Sequence, residues 1–233
     1  MTATAASGTG TKKVVARTAL VQLDEASSTV LHDCFRQFGI QTVALAEDAL
    51  QRLQKEKFEA IVVRLDDDAG AVLESARTSP SNRRVLIYGL ATSSKPALRY
   101  SKYGINSVVD LPLERQAVLR VVRATHLLVV HELRRYVRIP VITEIVLHTE
   151  ARRITGYTQE ISGGGMSIRP NAKLTVGQGV EVVFELPKHP GIRIASTVCW
   201  ARESDGQAGL RFNADDARRV AVKEWIDDYL EIS

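Results

Sequence analysis

Two rhythms of apolar and polar positions divide the chain. From Lys13 to about Val130, short continuous apolar runs alternate with stretches of helical periodicity. The runs are Ala19–Leu23, Thr42–Leu45, Ala60–Val63, Val85–Tyr88 and Ser107–Val109, the pattern of strands buried on both faces. Between them Val30, Leu31, Cys34, Phe35 and Phe38 share one helical face, with Ser27 or Ser28 as its N-cap and Gly39 as its stop. Ala46, Ala49, Leu50 and Leu53 make a second stripe, and a further helix is predicted from Leu113 towards His131. Strand and helix in alternation imply a parallel sheet covered on both faces, an α/β fold.

From Arg138 onward the period is two. Val180, Val182, Phe184 and Leu186 alternate with Glu181, Val183 and Glu185; Ile192, Ile194, Ser196, Val198 and Trp200 alternate with Arg193, Ala195, Thr197, Cys199 and Ala201. Half-buried antiparallel strands read this way. Turns at Pro187–Gly191 and Ser204–Gly206 separate them, which suggests a small closed barrel or sandwich. Val222, Trp225, Ile226, Tyr229 and Leu230 form the stripe of a last helix, with Asn213 as its expected N-cap and Asp215 and Asp216 near its positive end. Trp200 and Trp225 are expected in the core. A boundary near residues 131–138 gives two domains, 13–130 and 131–233, behind a disordered tail, 1–12, rich in Ala, Thr, Ser and Gly.

Composition narrows the class without naming a function. The chain has 233 residues, 45% hydrophobic and 25% charged, enough for two folded cores and unlike a disordered chain. No apolar run approaches the ~18 residues that span a bilayer, and the N-terminus lacks the apolar segment of a secretory signal. Two cysteines far apart fit a reducing, cytoplasmic setting. A net charge of +4 mildly favours an anionic partner.

Candidate chemistry concentrates at the boundary and in one turn. The stretch from Leu133 to Pro140 carries Arg134, Arg135 and Arg138. The residue before a proline is biased to extended backbone, so this segment is expected to lie across the barrel surface. Guanidinium groups fork onto phosphate oxygens and stack on flat rings. About 20 residues later Glu160, Ser162 and Gly163, Gly164 and Gly165 follow. The glycines let a ligand approach backbone N–H groups, Ser162 adds a hydroxyl donor, and Glu160 adds an acceptor for a guanine N–H edge. Together these groups suit an anionic purine nucleotide.

The stretch from Arg134 to Ile232 resembles a PilZ domain, the bacterial receptor module for cyclic di-GMP. Arg134 and Arg138 match the family's R-x-x-x-R, Arg135 takes a frequent extra-arginine position, and Ser162 and Gly165 match its [D/N]-x-S-x-x-G. Val198-Cys199-Trp200 and Gly209–Phe212 resemble its closing strands. The resemblance implies a six-stranded antiparallel β-barrel with a terminal helix. It also implies that cyclic di-GMP is held by Arg134, Arg135, Arg138, Glu160, Ser162, Gly164 and Gly165, the arginines folding over it. Glu160 departs from the family's Asp or Asn; losing one charged contact there costs about 1.5–3 kcal/mol, weakening binding without abolishing it.

Residues 13–130 resemble a response-regulator receiver domain in pattern, a flavodoxin-like parallel sheet. A receiver needs a phosphate-accepting Asp after the third strand, a hydroxyl after the fourth and a Lys before a Pro after the fifth. Here those positions hold Arg64, Gly89 and Leu111, while Asp24 and Glu25 remain at the acidic corner. Phosphoryl transfer depends on positioned charge and Mg²⁺, so this half is expected not to be phosphorylated, with Arg64 pairing to Asp24 or Glu25. Asp66, Asp67 and Asp68 are read as a solvated loop rather than a metal site.

No histidine pairs with Cys or carboxylate at metal-ligand spacing, no nucleophile elbow occurs and Gly163–Gly165 is no Walker loop. The expectation is a non-enzymatic cyclic di-GMP adaptor without a cofactor. Ligand binding orders the Arg134–Arg138 segment and changes the angle between domains. Its expected partners are the nucleotide and an unidentified protein, or a second copy through the receiver-like half. Leu127, Leu128, Val129 and Val130 either carry such a contact or pack on the barrel. Neither specific DNA binding nor membrane insertion is expected. The competing reading is a ligand-independent protein–protein module, for which Glu160 is the sign.

Overall fold

A computed structural model describes residues 14–230, so the tail expected over residues 1–12 lies outside the described residues. The N-terminal half is built from β1 (Arg17–Val21), α1 (Glu25–Arg36), β2 (Gln41–Leu45), α2 (Ala49–Lys55), β3 (Ala60–Arg64), α3 (Ala69–Thr78), β4 (Leu86–Ala91), α4 (Ser94–Arg99), β5 (Ser107–Asp110) and α5 (Arg115–Tyr136). Its strands are parallel and ordered β2-β1-β3-β4-β5, the flavodoxin-like order of receiver domains. Side chains alternate across the sheet into two cores. Ala19, Val21, Ile61 and Val63 join the cluster around Leu45 and Leu73. Leu20 and Val62 join Phe35, Tyr88, Val118 and Val122 on the opposite face.

Two local expectations give way here. Asp24, not Ser27 or Ser28, caps α1: its carboxylate accepts from Ser27 N at 2.8 Å and Ser27 Oγ at 2.9 Å. The turn out of β1 leaves Asp24 in extended backbone, the conformation a cap requires. Committed to that cap, Asp24 makes no ion pair with Arg64 among the described residues, and neither does Glu25. Leu50 belongs to the stripe of α2 by spacing yet is exposed.

The C-terminal half contains β6 (Ile139–Pro140), β7 (Glu144–His148), β8 (Arg153–Ser162), β9 (Gly165–Pro170), β10 (Gly179–Leu186), β11 (His189–Arg202), β12 (Gln207–Phe212) and α6 (Arg219–Tyr229). Antiparallel pairing runs β8-β7-β10-β11-β12-β9, and β9 pairs back onto β8. This closes a six-stranded barrel, with β6 added beside β8. Closure removes sheet edges, and the inward residues Ile145, Leu147, Ile161, Ile168, Val182, Phe184, Ile194 and Leu210 fill it. Val222, Trp225, Ile226 and Leu230 pack α6 onto that core, while Tyr229 stays exposed.

The alternation expected through Trp200 breaks at a bulge. Val198 pairs with Leu210, but Trp200 pairs with Gly209, so Cys199 is the extra residue and Trp200 turns to the outer face. Helix α6 also starts later than expected. Asn213 caps a turn, accepting from Asp215 N at 3.1 Å, while Asp216 accepts from Ala195 N at 2.9 Å and pairs with Arg218.

Helix α5 joins the halves without a break. Val118, Val122, Val129 and Leu133 belong to the N-terminal core, whereas Val137 and Ile139 belong to the barrel core. Val129 and Val130 are buried, but Leu127 and Leu128 are 76% and 51% exposed. Buried Glu132 anchors the last turns. It pairs with Lys57 Nζ at 2.8 Å, which also donates to Ser81 O at 3.1 Å and lies 3.9 Å from the Tyr136 ring centroid.

A second charged contact makes the stability of the N-terminal half depend on pH. Arg52 and Arg17 hold the Glu56 carboxyl down to about 2, from an ordinary 4.5. Its contribution is complete above pH 4.5 and is lost as pH falls towards 2. Between pH 6 and pH 3 the Tm of Glu56→Gln is therefore expected to fall less than that of the unaltered chain, measured by circular dichroism in matched buffers.

Candidate functional site

The end of α5, the β8–β9 turn and one face of α6 enclose a cleft of about 450 Å³. His131, Arg134 and Arg135 reach it from α5 at i, i+3 and i+4; Arg219, Lys223, Ile226 and Asp227 reach it from α6 at i, i+4, i+7 and i+8. Those spacings put each set on one side of its helix. Gly163 and Gly164 form the remaining wall.

The arginines are not held as an extended strap. Arg134 and Arg135 lie in the last turn of α5, which Val137 N closes onto Leu133 O at 3.0 Å. Pro140 restricts only Ile139 directly, so helix persists to Tyr136. Arg134 Nε lies 2.6 Å from Asp227 Oδ1, and Arg135 Nη1 lies 3.1 Å from Glu132 Oε2. Arg138 is exposed beyond the helix. Ile139 pairs with Ile161 and Pro140 with Glu160; extending that register sets Arg138 opposite Ser162.

The turn assigns different tasks to its residues. Ser162 is buried and its hydroxyl donates to Gly165 O at 3.0 Å, closing the hairpin. A Cβ on Gly165 would lie 2.1 Å from Leu210 O, so glycine there lets β9 approach β12. A Cβ on Gly164 would meet nothing within 4 Å. Neither packing nor a positive φ demands glycine at that position; the missing side chain keeps the cleft wall open.

Glu160 sits apart from the cleft. A bulge between Thr158 and Glu160 turns it to the outer barrel wall. There it lines a separate hollow with Pro140, Gln159, Ser167, Trp200, Arg202 and Gln207. Trp200 lies against Gly209, where a Cβ would come within 2.1 Å of its Nε1, and the Arg202 guanidinium stands 5.0 Å from its ring centroid. Glu160, Ser162 and Gly163 thus step along one strand end, from the hollow towards the cleft. The cleft brings together Arg134, Arg135 and Gly164 of the residues expected from the sequence, and adds Arg219, Lys223 and Asp227, while Trp200 turns outward at the hollow. No signal in the sequence marks the outward Trp200, because its place opposite Gly209 is set by the bulge.

In the receiver-like half, the segments after β3 and within β4 meet around Leu65 and Gly89. A Cβ on Gly89 would lie 2.5 Å from Leu65 Cδ1, so Leu65 occupies the space beside it. Asp67 pairs with Arg99, and no cluster of metal-ligating side chains occurs among the described residues.

A model of the PilZ domain family matches residues 132–231. This part of the chain is a PilZ domain. Three solved structures resemble one half each. The receiver domain of a sensor histidine kinase from Pseudomonas aeruginosa PAO1 is 19% identical, with 48% of this chain and 97% of that one covered at a TM-score of 0.41. A chemotaxis response regulator of Vibrio cholerae is 15% identical, with 48% and 98% covered at 0.43. The PilZ domain of CeSA from a cellulose-synthesizing bacterium is 19% identical, with 41% and 97% covered at 0.33. The search of curated proteins gives no match.

The two glycines of the PilZ turn are expected to separate in a thermal melt. Gly165→Ala destabilises by about 1–3 kcal/mol, because strand backbone must shift, whereas Gly164→Ala leaves Tm within error of the parent. Equal losses at both positions would show that the turn is packed at Gly164 as well.

Proposed function

We propose that the PilZ domain binds cyclic di-GMP and that the chain is a signalling adaptor rather than an enzyme. The observation that carries this reading is the convergence of Arg134, Arg135 and Gly164 on one basic cleft. A cyclic dinucleotide brings two phosphodiester charges and two purine rings, which forked guanidinium groups recognise by paired N–H donors and by stacking. Arg138 is exposed near the same strand end, Ser162 acts by closing the hairpin that carries Gly163 and Gly164, and Glu160 would offer its carboxylate to a guanine N–H edge only from the separate hollow.

Binding requires Arg134 to exchange Asp227 for phosphate, and Arg135 to exchange Glu132. Both arginines belong to the helix that enters the receiver-like core. Unwinding its last turn would alter the junction between the two halves, and with it the surface offered to a partner. Exposed Leu127 and Leu128 on that helix mark where a protein partner, or a second copy, would meet it. No helix among the described residues is long and apolar enough to cross a membrane.

One observation favours the competing reading of a ligand-independent interaction module: Arg134 and Arg135 both already face carboxylates. Calorimetric titration of the full chain with cyclic di-GMP decides between the two. The expected result is saturable binding, weakened about a hundredfold in the Arg134→Ala/Arg138→Ala double variant by loss of two charge-assisted contacts. Glu160→Asp is expected to tighten it up to about tenfold. Absence of saturation up to roughly 50 μM, a binding energy of about 6 kcal/mol, would defeat the nucleotide reading. So would a double variant that binds like the parent.

A further inference from the structure

We infer that helix α6 belongs to the ligand site, with Arg219 and Lys223 supplying the charge that meets the phosphates. This inference rests on the cyclic dinucleotide reading and extends it to residues outside both sequence motifs. It comes from the charge balance of the cleft. Four permanent cations line it. Arg134 is matched by Asp227 and Arg135 by Glu132, whose other oxygen takes Lys57. Arg219 and Lys223 make no ion pair among the described residues. Arg219 donates only to neutral carbonyls, Nη1 to Ala214 O at 2.8 Å and Nη2 to Gly163 O at 3.1 Å. Arg219 and Lys223 are thus the two lining cations that face no carboxylate among the described residues, and a cyclic dinucleotide brings two phosphate charges to meet them.

Geometry gives the two residues distinct tasks. Arg219 ties the Gly163 carbonyl to α6, fixing the turn while leaving its positive charge in the cleft wall. Lys223 runs its aliphatic stem past Gly163: a Cβ there would lie 3.9 Å from Lys223 Cγ. A bare glycine backbone lets the stem lie close and keeps the ammonium over the cleft, where the flexible chain can follow a bound phosphate. Such a contact is electrostatic, so salt screens it.

The test is calorimetric titration of the full chain with cyclic di-GMP at low and at near-physiological salt. Lys223→Gln is expected to weaken binding about tenfold and to flatten its salt dependence, the size of one lost charge-assisted contact. Lys223→Arg retains binding. Arg152→Gln removes an equal charge from the exposed β7–β8 turn and leaves both affinity and salt slope unchanged. Arg219→Gln serves as a second variant, with a melting curve to confirm folding. If the parent chain binds and both Lys223→Gln and Arg219→Gln match it in affinity and salt slope, the role of α6 is overturned while the nucleotide reading stands. If the parent chain does not bind, both fall together.

Discussion

The carboxylate of Glu132 is the interaction on which the rest depends. It is 3% exposed and shared between Lys57 of the receiver-like half and Arg135 of the PilZ domain. A buried charge is tolerated only when paired and hydrogen-bonded. Glu132 therefore holds the last turns of α5 against the N-terminal sheet, and Arg134 and Arg135 inherit their positions from it. The helix has no freedom to end early, because its next apolar residues, Leu133 and Val137, are already committed to the two cores it joins.

The cleft is consequently assembled in a guarded state. Its arginines face carboxylates of the same chain, and under the proposed function a phosphate would have to outcompete them. Such exchange costs little on the surface side, where Arg134 and Asp227 are each about a third exposed and their attraction is screened. It costs more at Glu132, which would be left with Lys57 alone. The two arginines therefore differ in what releases them: Arg134 answers to α6, Arg135 to the receiver-like half.

That half has the receiver strand order, with side chains other than a receiver's expected set at its strand ends. Arg64 stands where the nucleophile would be, Leu65 fills the space beside Gly89, and Asp24 is engaged as a helix cap. None of these changes disturbs the parallel sheet, whose alternating Ala19, Leu20 and Val21 still divide between the two cores. Against that sheet packs α5, on which Leu127 and Leu128 are exposed.

Much of this was legible in the chain itself. Apolar period two along β10 predicts its inward Val180, Val182, Phe184 and Leu186, and continuous runs predict the buried strands of the sheet, because pleat and helix geometry force those spacings. Arg134, Arg135 and Gly164 stood out in the chain as candidates, and the fold places all three on one cleft. The tertiary structure alone decided the helical state of the arginines, the outward turn of Trp200 and the entry of Arg219, Lys223 and Asp227 into the cleft. A bulge adds one residue without a reliable mark in composition, and a helix end is set by what its side chains pack against. Residues as distant in the chain as Arg134 and Asp227 meet only once a closed barrel brings α6 beside the end of α5.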